Sequence, residues 1–487
     1  MRGPAELYRN SLPPGELDCF RVDGLDRLGV PVTFACHRAG DGSQFDAFGY
    51  GATPEQAEIG ALGEVTENAR AQAGLADAPR VLGSYRELVK AHGDRAVCDP
   101  ASLCLPAGSS YSPDTSLAWV AAKRWPGGEP VLVPLEFALC YRCQLGSYQP
   151  LTTPITNGLG AGDSLERALA HGILELLQRD GNCTRFRALD QGRVISLDGV
   201  TDPDTLALLA KLDREGVEVL PKLATTEFGL TNLYVVGHDR SDTAPQPIML
   251  TAGGEACDPD PAKALSKALL EFCAARSRKA MSHGPLSEVA RVAPPGYLDA
   301  YRSRHDLSNE EPRALEAMLA WAGMGAGELR ALLADSVFSR REVVPFTALP
   351  RNAVGDSPAE RLAFLAGRLA SAGLDILYLD LSPPGGEVFA VKAIVPGLEC
   401  ETLSYHRVGE RGITRLLAEG SPLAGLGVPP PGAKRAVLSP EAEERLGGPA
   451  WLDVSAIDRL TARLYPLYRE PESHAVRFAM ERRRAAE

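Results

Sequence analysis

The sequence predicts an α/β protein on two observations. Runs rich in β-branched and aromatic residues alternate with helical patterns along the 487 residues, and three separated stretches repeat one design of glycine loop, helix-starting residue and long helix. The loops are Phe48-Gly-Tyr-Gly51, Asn157-Gly-Leu-Gly-Ala-Gly162 and Gly253-Gly254. Counted from the starters Thr53, Ser164 and Asp260, the fourth position is Ala57, Ala168 and Ala264, and the eighth is Ala61, Gly172 and Ala268. The eleventh is a glutamate each time: Glu64, Glu175 and Glu271. These offsets lie on one stripe of an α-helix, so each helix presents two small residues and then a carboxylate. Small residues let a backbone or ligand approach, whereas a carboxylate is costly to bury without compensation. Three such faces suggest three carboxylates around a shared cation or polyphosphate.

Taken in order, Val30–Cys36 reads as the first strand. Thr53-Pro54-Glu55-Gln56 then opens a helix with an N-cap threonine, proline at the first helical position and a glutamine to close a capping box, and Gly74 is its stop. Leu117–Ala122 and the run Pro130–Leu139 read as strands, the latter leading to Cys140 and Cys143 as a strand-end pair of buried thiols. The second special helix follows Ser164, with Gly181 as its stop and His171 on its face. Asn232–Gly237 is a strand, and Asp260-Pro261 repeats the cap-then-proline order. Residues from about 286 to 334 are polar and helical in period, which predicts a helical insertion. Leu374–Asp380 and Val388–Val395 close the strand series. Pro429-Pro-Pro-Gly432 marks a turn or linker, and roughly 50 residues of helical character follow.

Composition narrows the function. Hydrophobic residues at 45% and charged residues at 23% fit an ordinary globular protein able to bury a large core. A net charge of −12 argues against nucleic acid as a partner, since phosphate neutralisation needs clustered cations and only Arg482-Arg-Arg484 supplies any. The chain lacks a run of about 18 apolar residues and an apolar signal-peptide core, so no membrane span is expected and a cytoplasmic location is the default. Ten irregularly spaced cysteines do not form a disulfide scaffold or a zinc ligand set. HExxH, GxSxG and P-loop patterns are missing, and no catalytic residue is assigned.

With these residues in place, the chain resembles the YcaO family. Asn157-Gly-x-x-Ala-Gly followed by Ala168, Gly172 and Glu175-Leu-Leu-Gln-Arg-Asp180 is similar to that family's signature. The stretches Ala61-Leu-Gly-Glu-Val-Thr-Glu67 and Ala264–Glu271, the latter continuing to Arg276, resemble its other nucleotide motifs, and Val395-Pro-Gly-Leu-Glu399 a more structural one. The resemblance spans about residues 30 to 412. It implies a YcaO-type catalytic domain over about residues 1–415, followed by a proline-rich linker and helical tail over 416–487. It implies Mg2+ and ATP as cofactors, and phosphorylation of a peptide amide oxygen after attack by a nucleophile. A neighbouring Cys, Ser or Thr gives an azoline, as in a cyclodehydratase; sulfide gives a thioamide and an amine an amidine. The substrate is a ribosomally made precursor peptide. By position, Glu64, Glu67, Asp163, Glu175, Gln178 and Glu271 are nucleotide contacts, with Glu64, Glu175 and Glu271 as metal ligands, and Arg276 is a phosphate contact.

The chain departs from the family pattern at several places. Asp163 stands where Asn is usual, Arg167 and Gln178 where Glu is usual, and Gly60, Asn68 and Ala274 replace Ser, Arg and Gln. Two carboxylates are thereby lost, which Asp163 or Glu166 can partly replace. Family-like sequence starts almost at the N-terminus, so a leader-peptide-binding or E1-like partner protein is expected to present the substrate. The C-terminal stretch from Arg469 is not proline-rich, which weakens azoline formation as the specific product. Homodimerisation is a further implication of the resemblance. The alternative function is a nucleotide-incompetent YcaO-like scaffold or peptide-binding subunit; the three retained glutamates favour the enzyme, since a site without a ligand gains by losing buried carboxylates.

Overall fold

The computed structural model describes residues 3–241, 246–400 and 403–486, and the architecture below is that of these residues. They form two compact units: one holds the described residues up to Pro13, Thr66–Thr184 and Val354–Arg459, the other Pro14–Val65, Arg185–Ala353 and the chain from Leu460 onward.

In the first unit a six-stranded antiparallel sheet runs in the order Val81–Ser84, Ser116–Arg124, Leu377–Asp380, Phe389–Ile394, Leu159–Gly162, with Pro130–Pro134 also paired to Ser116–Arg124. Its core includes Leu105, Val120, Val133, Leu135 and Leu377. The run from Pro130 is strand only to Pro134, because Leu135–Ala138 turns into a single buried helical turn. That turn changes the thiol reading: Cys140 is buried, with Lys392 Nζ 3.4 Å from its sulfur, while Cys143 is exposed. The segment after Pro429 is not helical throughout, since Ala424–Leu426, Ala450–Leu452 and Lys434–Arg435 form a small three-stranded sheet.

The second unit contains a three-stranded antiparallel sheet, Gly15–Arg21, Val32–Ala39 and Gln44–Tyr50. A five-stranded sheet follows the order Gly253–Asp258, Thr231–Asp239, Val217–Thr225, Arg193–Ser196, Glu342–Pro345, antiparallel except for the last pair. Leu223, Leu233, Val235, Leu265, Leu269 and Phe272 fill its core. Helices Leu286–Val292, Tyr297–Arg304, Pro312–Ala322 and Ala326–Leu333 occupy the stretch read as helical. Among the described residues no helix is long and apolar enough to cross a membrane.

The repeated design is present as three strand–helix pairs: β1 (Gln44–Tyr50) with α1 (Pro54–Ala73), β2 (Leu159–Gly162) with α2 (Leu165–Asn182), and β3 (Gly253–Asp258) with α3 (Pro261–His283). The starters cap as expected. Thr53 Oγ1 accepts from the Gln56 N–H at 3.2 Å, Ser164 from the Arg167 N–H at 3.2 Å and Asp260 from the Ala262 N–H at 3.0 Å; the expected capping box is shifted by one residue, since Gln56 Oε1 accepts from the Ala52 N–H at 2.9 Å and not from that of Thr53. Each such cap stabilises its helix by about 1 kcal/mol. Gly74 follows the last residue of α1, but Gly181 lies inside α2, which ends one residue later with Cys183 as its C-cap.

The small residues serve backbone packing. A Cβ on Gly49 would overlap the Ala57 carbonyl and the Ala61 amide, and one on Gly160 would overlap the Ala168 carbonyl. Strand backbone therefore lies directly on helix backbone at the fourth and eighth positions. In the third pair the contact slips one helical turn: Gly254 lies against the Ala268 carbonyl and the Phe272 amide. The cause is visible in the chain, where Gly49 and Gly160 stand four residues before their starters and Gly254 six.

Candidate functional site

Close backbone packing brings the eleventh-position carboxylates within reach of strand donors. In the second unit, β1 serves two helices. The Phe48 N–H donates to Glu64 Oε2 at 3.2 Å, and the Tyr50 hydroxyl, two residues along the same strand, donates to Glu271 Oε2 at 3.0 Å. Tyr50 is pushed well above the ordinary phenol range by burial, and further by the negative charges of Glu271, Glu64 and Glu255. It therefore stays a neutral donor at any physiological pH. Glu255, on β3, is paired with Arg187 at 3.2 Å.

Arg278 supplies a cation beside this pair. Burial works against its charge, but Glu470, Glu64 and Glu271 outweigh that and raise its pKa. Glu470 holds the guanidinium in a two-pronged bond of 2.9 and 3.0 Å and also takes Lys279 at 2.6 Å and His283 at 2.9 Å. Despite burial, Arg278 and Lys279 keep Glu470 well below the usual carboxylate range. Lys279, 3% exposed, is pushed down to about 8 by burial against the pull of Glu470.

Arg276 is not part of this face, contrary to the phosphate contact expected of it. Its guanidinium is fully buried and bonded to Asp26 at 2.7 and 3.2 Å and to Asp239 at 3.1 Å. The physical reason is helical periodicity. Five residues past Glu271 lie on a different face of α3, whereas seven residues, two turns, return to the same one. That spacing was available in the sequence and points to Arg278.

In the first unit, β2 and its approach play the corresponding part. The Gly158 N–H donates to Glu175 Oε2 at 2.9 Å, and the Ala161 N–H to Glu67 Oε1 at 2.9 Å. Arg179 stands 3.4 Å from the other oxygen of Glu175, and His171, half exposed, lies 3.8 Å from Glu67. Tyr8 is raised to about 12 by burial, with Glu67 and Asp163 adding to the effect. Asp163 itself pairs with Arg167 at 2.7 Å, both more than half exposed. Gln178 is buried on α2, one turn beyond Glu175. Asn68 accepts the Tyr141 hydroxyl at 2.8 Å.

The backbone N–H bonds orient Glu64, Glu67 and Glu175, and the Tyr50 hydroxyl orients Glu271. Hard oxygen donors of this kind suit Mg2+. The sequence reading missed Tyr50, although it sits inside the quoted loop and shares strand parity with Phe48. It also missed Glu470, for which there was no signal, because that residue meets α3 across about 190 residues of chain.

Glu399, from the motif read as structural, is architectural. It accepts the N–H groups of Gly409 and Gly412 at the start of the helix Glu410–Ala418, where a negative charge is favoured, and its own N–H donates to the buried Asp180 at 2.9 Å. Asp180 in turn binds Arg411 and Arg415.

An α/β fold of this architecture matches solved YcaO structures. Residues 48–399 match the family model described as YcaO cyclodehydratase, ATP- and Mg2+-binding. The chain belongs to the YcaO family. It is 30% identical to an uncharacterized protein of Methanothermobacter thermautotrophicus over 80% of this chain and 91% of that one. It is 24% identical to an uncharacterized protein in the tfuA 3′ region of Rhizobium leguminosarum bv. trifolii, over 81% of this chain and 86% of that one. The YcaO from Methanopyrus kandleri, whose structure is bound with AMPPCP and Mg2+, superposes with a TM-score of 0.56 at 22% identity, covering 83% of this chain and 91% of that one.

Proposed function

We propose that this chain is an ATP-dependent enzyme that activates backbone amides of a ribosomally made precursor peptide, giving an azoline, thioamide or amidine. The observation that carries the reading is the repeated carboxylate geometry: Glu64 and Glu67 each accept a strand N–H, Glu175 accepts the N–H of Gly158 just before β2, and Glu271 accepts a hydroxyl from the strand that also serves Glu64. Two such pairs of oriented oxygen donors fit Mg2+ and polyphosphate, as the family description and the Methanopyrus structure suggest. When bound, Mg-ATP supplies the phosphoryl group that converts an amide oxygen into a leaving group.

The residues of the chain have distinct parts in this reading. Glu64, Glu175 and Glu271 are metal ligands and Glu67 is a further nucleotide contact. Phe48, Gly158, Ala161 and Tyr50 keep those carboxylates in one orientation, so no reorganisation is needed when charge develops. Arg278 takes the phosphate role assigned by sequence to Arg276. Asp163 contributes once its exposed pair with Arg167, worth less than about 1 kcal/mol, opens. Gln178, one turn beyond Glu175 on α2, is a further nucleotide contact.

A precursor peptide and a presenting partner protein complete the system. The Rhizobium relative lies beside tfuA, which makes the product of a gene adjacent to this one the first partner to test. The deciding experiment measures Mg-ATP binding and hydrolysis by the purified protein, alone and with peptide and partner, followed by product mass. Peptide-stimulated hydrolysis that disappears in Glu175→Gln and Glu271→Gln supports the enzyme; wild-type turnover in both variants removes these residues from the site. The second reading, a nucleotide-incompetent scaffold, draws on the Asp163–Arg167 and Arg278–Glu470 pairs, which neutralise charges an anionic ligand would need. Lack of both binding and hydrolysis in every combination would establish it.

A further inference from the structure

A cluster in the second unit has no part in the proposed chemistry. His305 caps the C-terminal end of Tyr297–Arg304, Glu310 precedes Pro312–Ala322, and Glu472 lies just before the C-terminal helix. His305 Nε2 stands 3.4 Å from Glu310 and Nδ1 stands 3.2 Å from Glu472, with side-chain exposures of 2%, 6% and 66% respectively for the histidine and the two glutamates. One donor atom from each residue can be chosen so that all three lie within 4.8 Å of one another.

The imidazole sits between two carboxylates without an aligned hydrogen bond from either ring nitrogen. That is an unusual state for a side chain this buried, since buried polar groups are nearly always paired. Other nearby groups do not resolve it. The Tyr301 hydroxyl is taken by Asp46 at 2.6 Å, and the Glu472 N–H reaches both oxygens of Glu310 at 3.3 Å. A divalent cation at this position would balance both carboxylates.

We propose that His305, Glu310 and Glu472 form a divalent-cation site of the zinc type, distinct from the glutamates of α1 to α3. An imidazole and two carboxylates are suitable ligands for such an ion, and metal–ligand distances of about 2.0–2.2 Å bring ligand atoms within about 4.2 Å of one another. Exposed Glu472 closes the remaining gap by a side-chain rotation, and water completes the coordination. Bound there, the ion clamps the segment around Glu472 to the helices before and after His305. Glu470, two residues earlier, is thereby kept on Arg278, Lys279 and His283 of α3.

The test uses the full chain, freed of metal by chelation and titrated with Co2+ in the absence of nucleotide. One equivalent of Co2+ with enhanced d–d absorption and no thiolate charge-transfer band is expected. Glu472→Gln, at an exposed position that does not threaten folding, should weaken binding at least about tenfold, and His305→Ala should abolish it. Glu175→Gln and Glu271→Gln should retain it. Failure of the wild type to take up Co2+, equal uptake by Glu472→Gln, a thiolate spectrum, or loss of uptake in Glu271→Gln with retention in His305→Ala would each overturn the site.

Discussion

Replacing Arg276 with methionine separates the reading of α3 by sequence from its reading by structure. The substitution keeps most of the side-chain volume, so packing changes little, but removes the charge shared by Asp26 and Asp239, whose side chains are each 2% exposed. Arg27 still reaches Asp239 but leaves Asp26 without its partner. Removing one member of a buried pair typically costs about 3–5 kcal/mol, because an uncompensated charge remains inside. A figure near the middle of that range is expected here, with one carboxylate stranded. Arg278→Ala removes a side chain that is 34% exposed, and Glu470 keeps Lys279 and His283, so its effect on stability should be under about 1.5 kcal/mol while nucleotide affinity falls. Urea unfolding followed by tryptophan fluorescence gives the first quantity and Mg-ATP titration the second. Wild-type stability in Arg276→Met together with lost nucleotide affinity would refute the structural assignment and restore Arg276 as a phosphate contact.

Three further outcomes follow from the same geometry. Gly160→Ala places a methyl group against the Ala168 carbonyl, so the helix must move away from β2; a loss of about 1–3 kcal/mol is expected by urea unfolding, and an unchanged midpoint would show that the close approach is not needed. Tyr50→Phe removes the hydroxyl donor to the half-buried Glu271, and should cost about 1 kcal/mol and weaken Mg2+ binding; equal Mg2+ affinity in the variant would exclude an orienting role for the hydroxyl. In metal-free protein, Glu310 has a folded pKa of about 7 against an ordinary value of 4.5, so between these limits the native state binds more protons than the unfolded chain and stability falls as pH rises. Glu310→Gln should flatten that fall between about pH 5 and 7, and an unchanged slope would contradict the assignment.

Much of this architecture was readable because it is local. N-caps at Thr53, Ser164 and Asp260 are short-range hydrogen bonds, and the 4, 8, 11 register follows from helical period alone. The strands at Ser116–Arg124, Thr231–Asp239 and Phe389–Ile394 carry their own side-chain signature. Gly181 misled because a glycine signals a helix end only where the chain turns, and α2 continues past it under tertiary packing.

The sequence by itself determined that three helices begin as they do, that each carries two small residues and a glutamate on one stripe, and that the chain is of YcaO type. Only the tertiary structure decided which donors meet those glutamates, that Arg276 is buried between Asp26 and Asp239, and that Glu470 and Glu472 come to α3 and His305. Helical period and capping are set within a few residues, whereas a charge pair across nearly 200 residues depends on the whole path of the chain and leaves no local pattern.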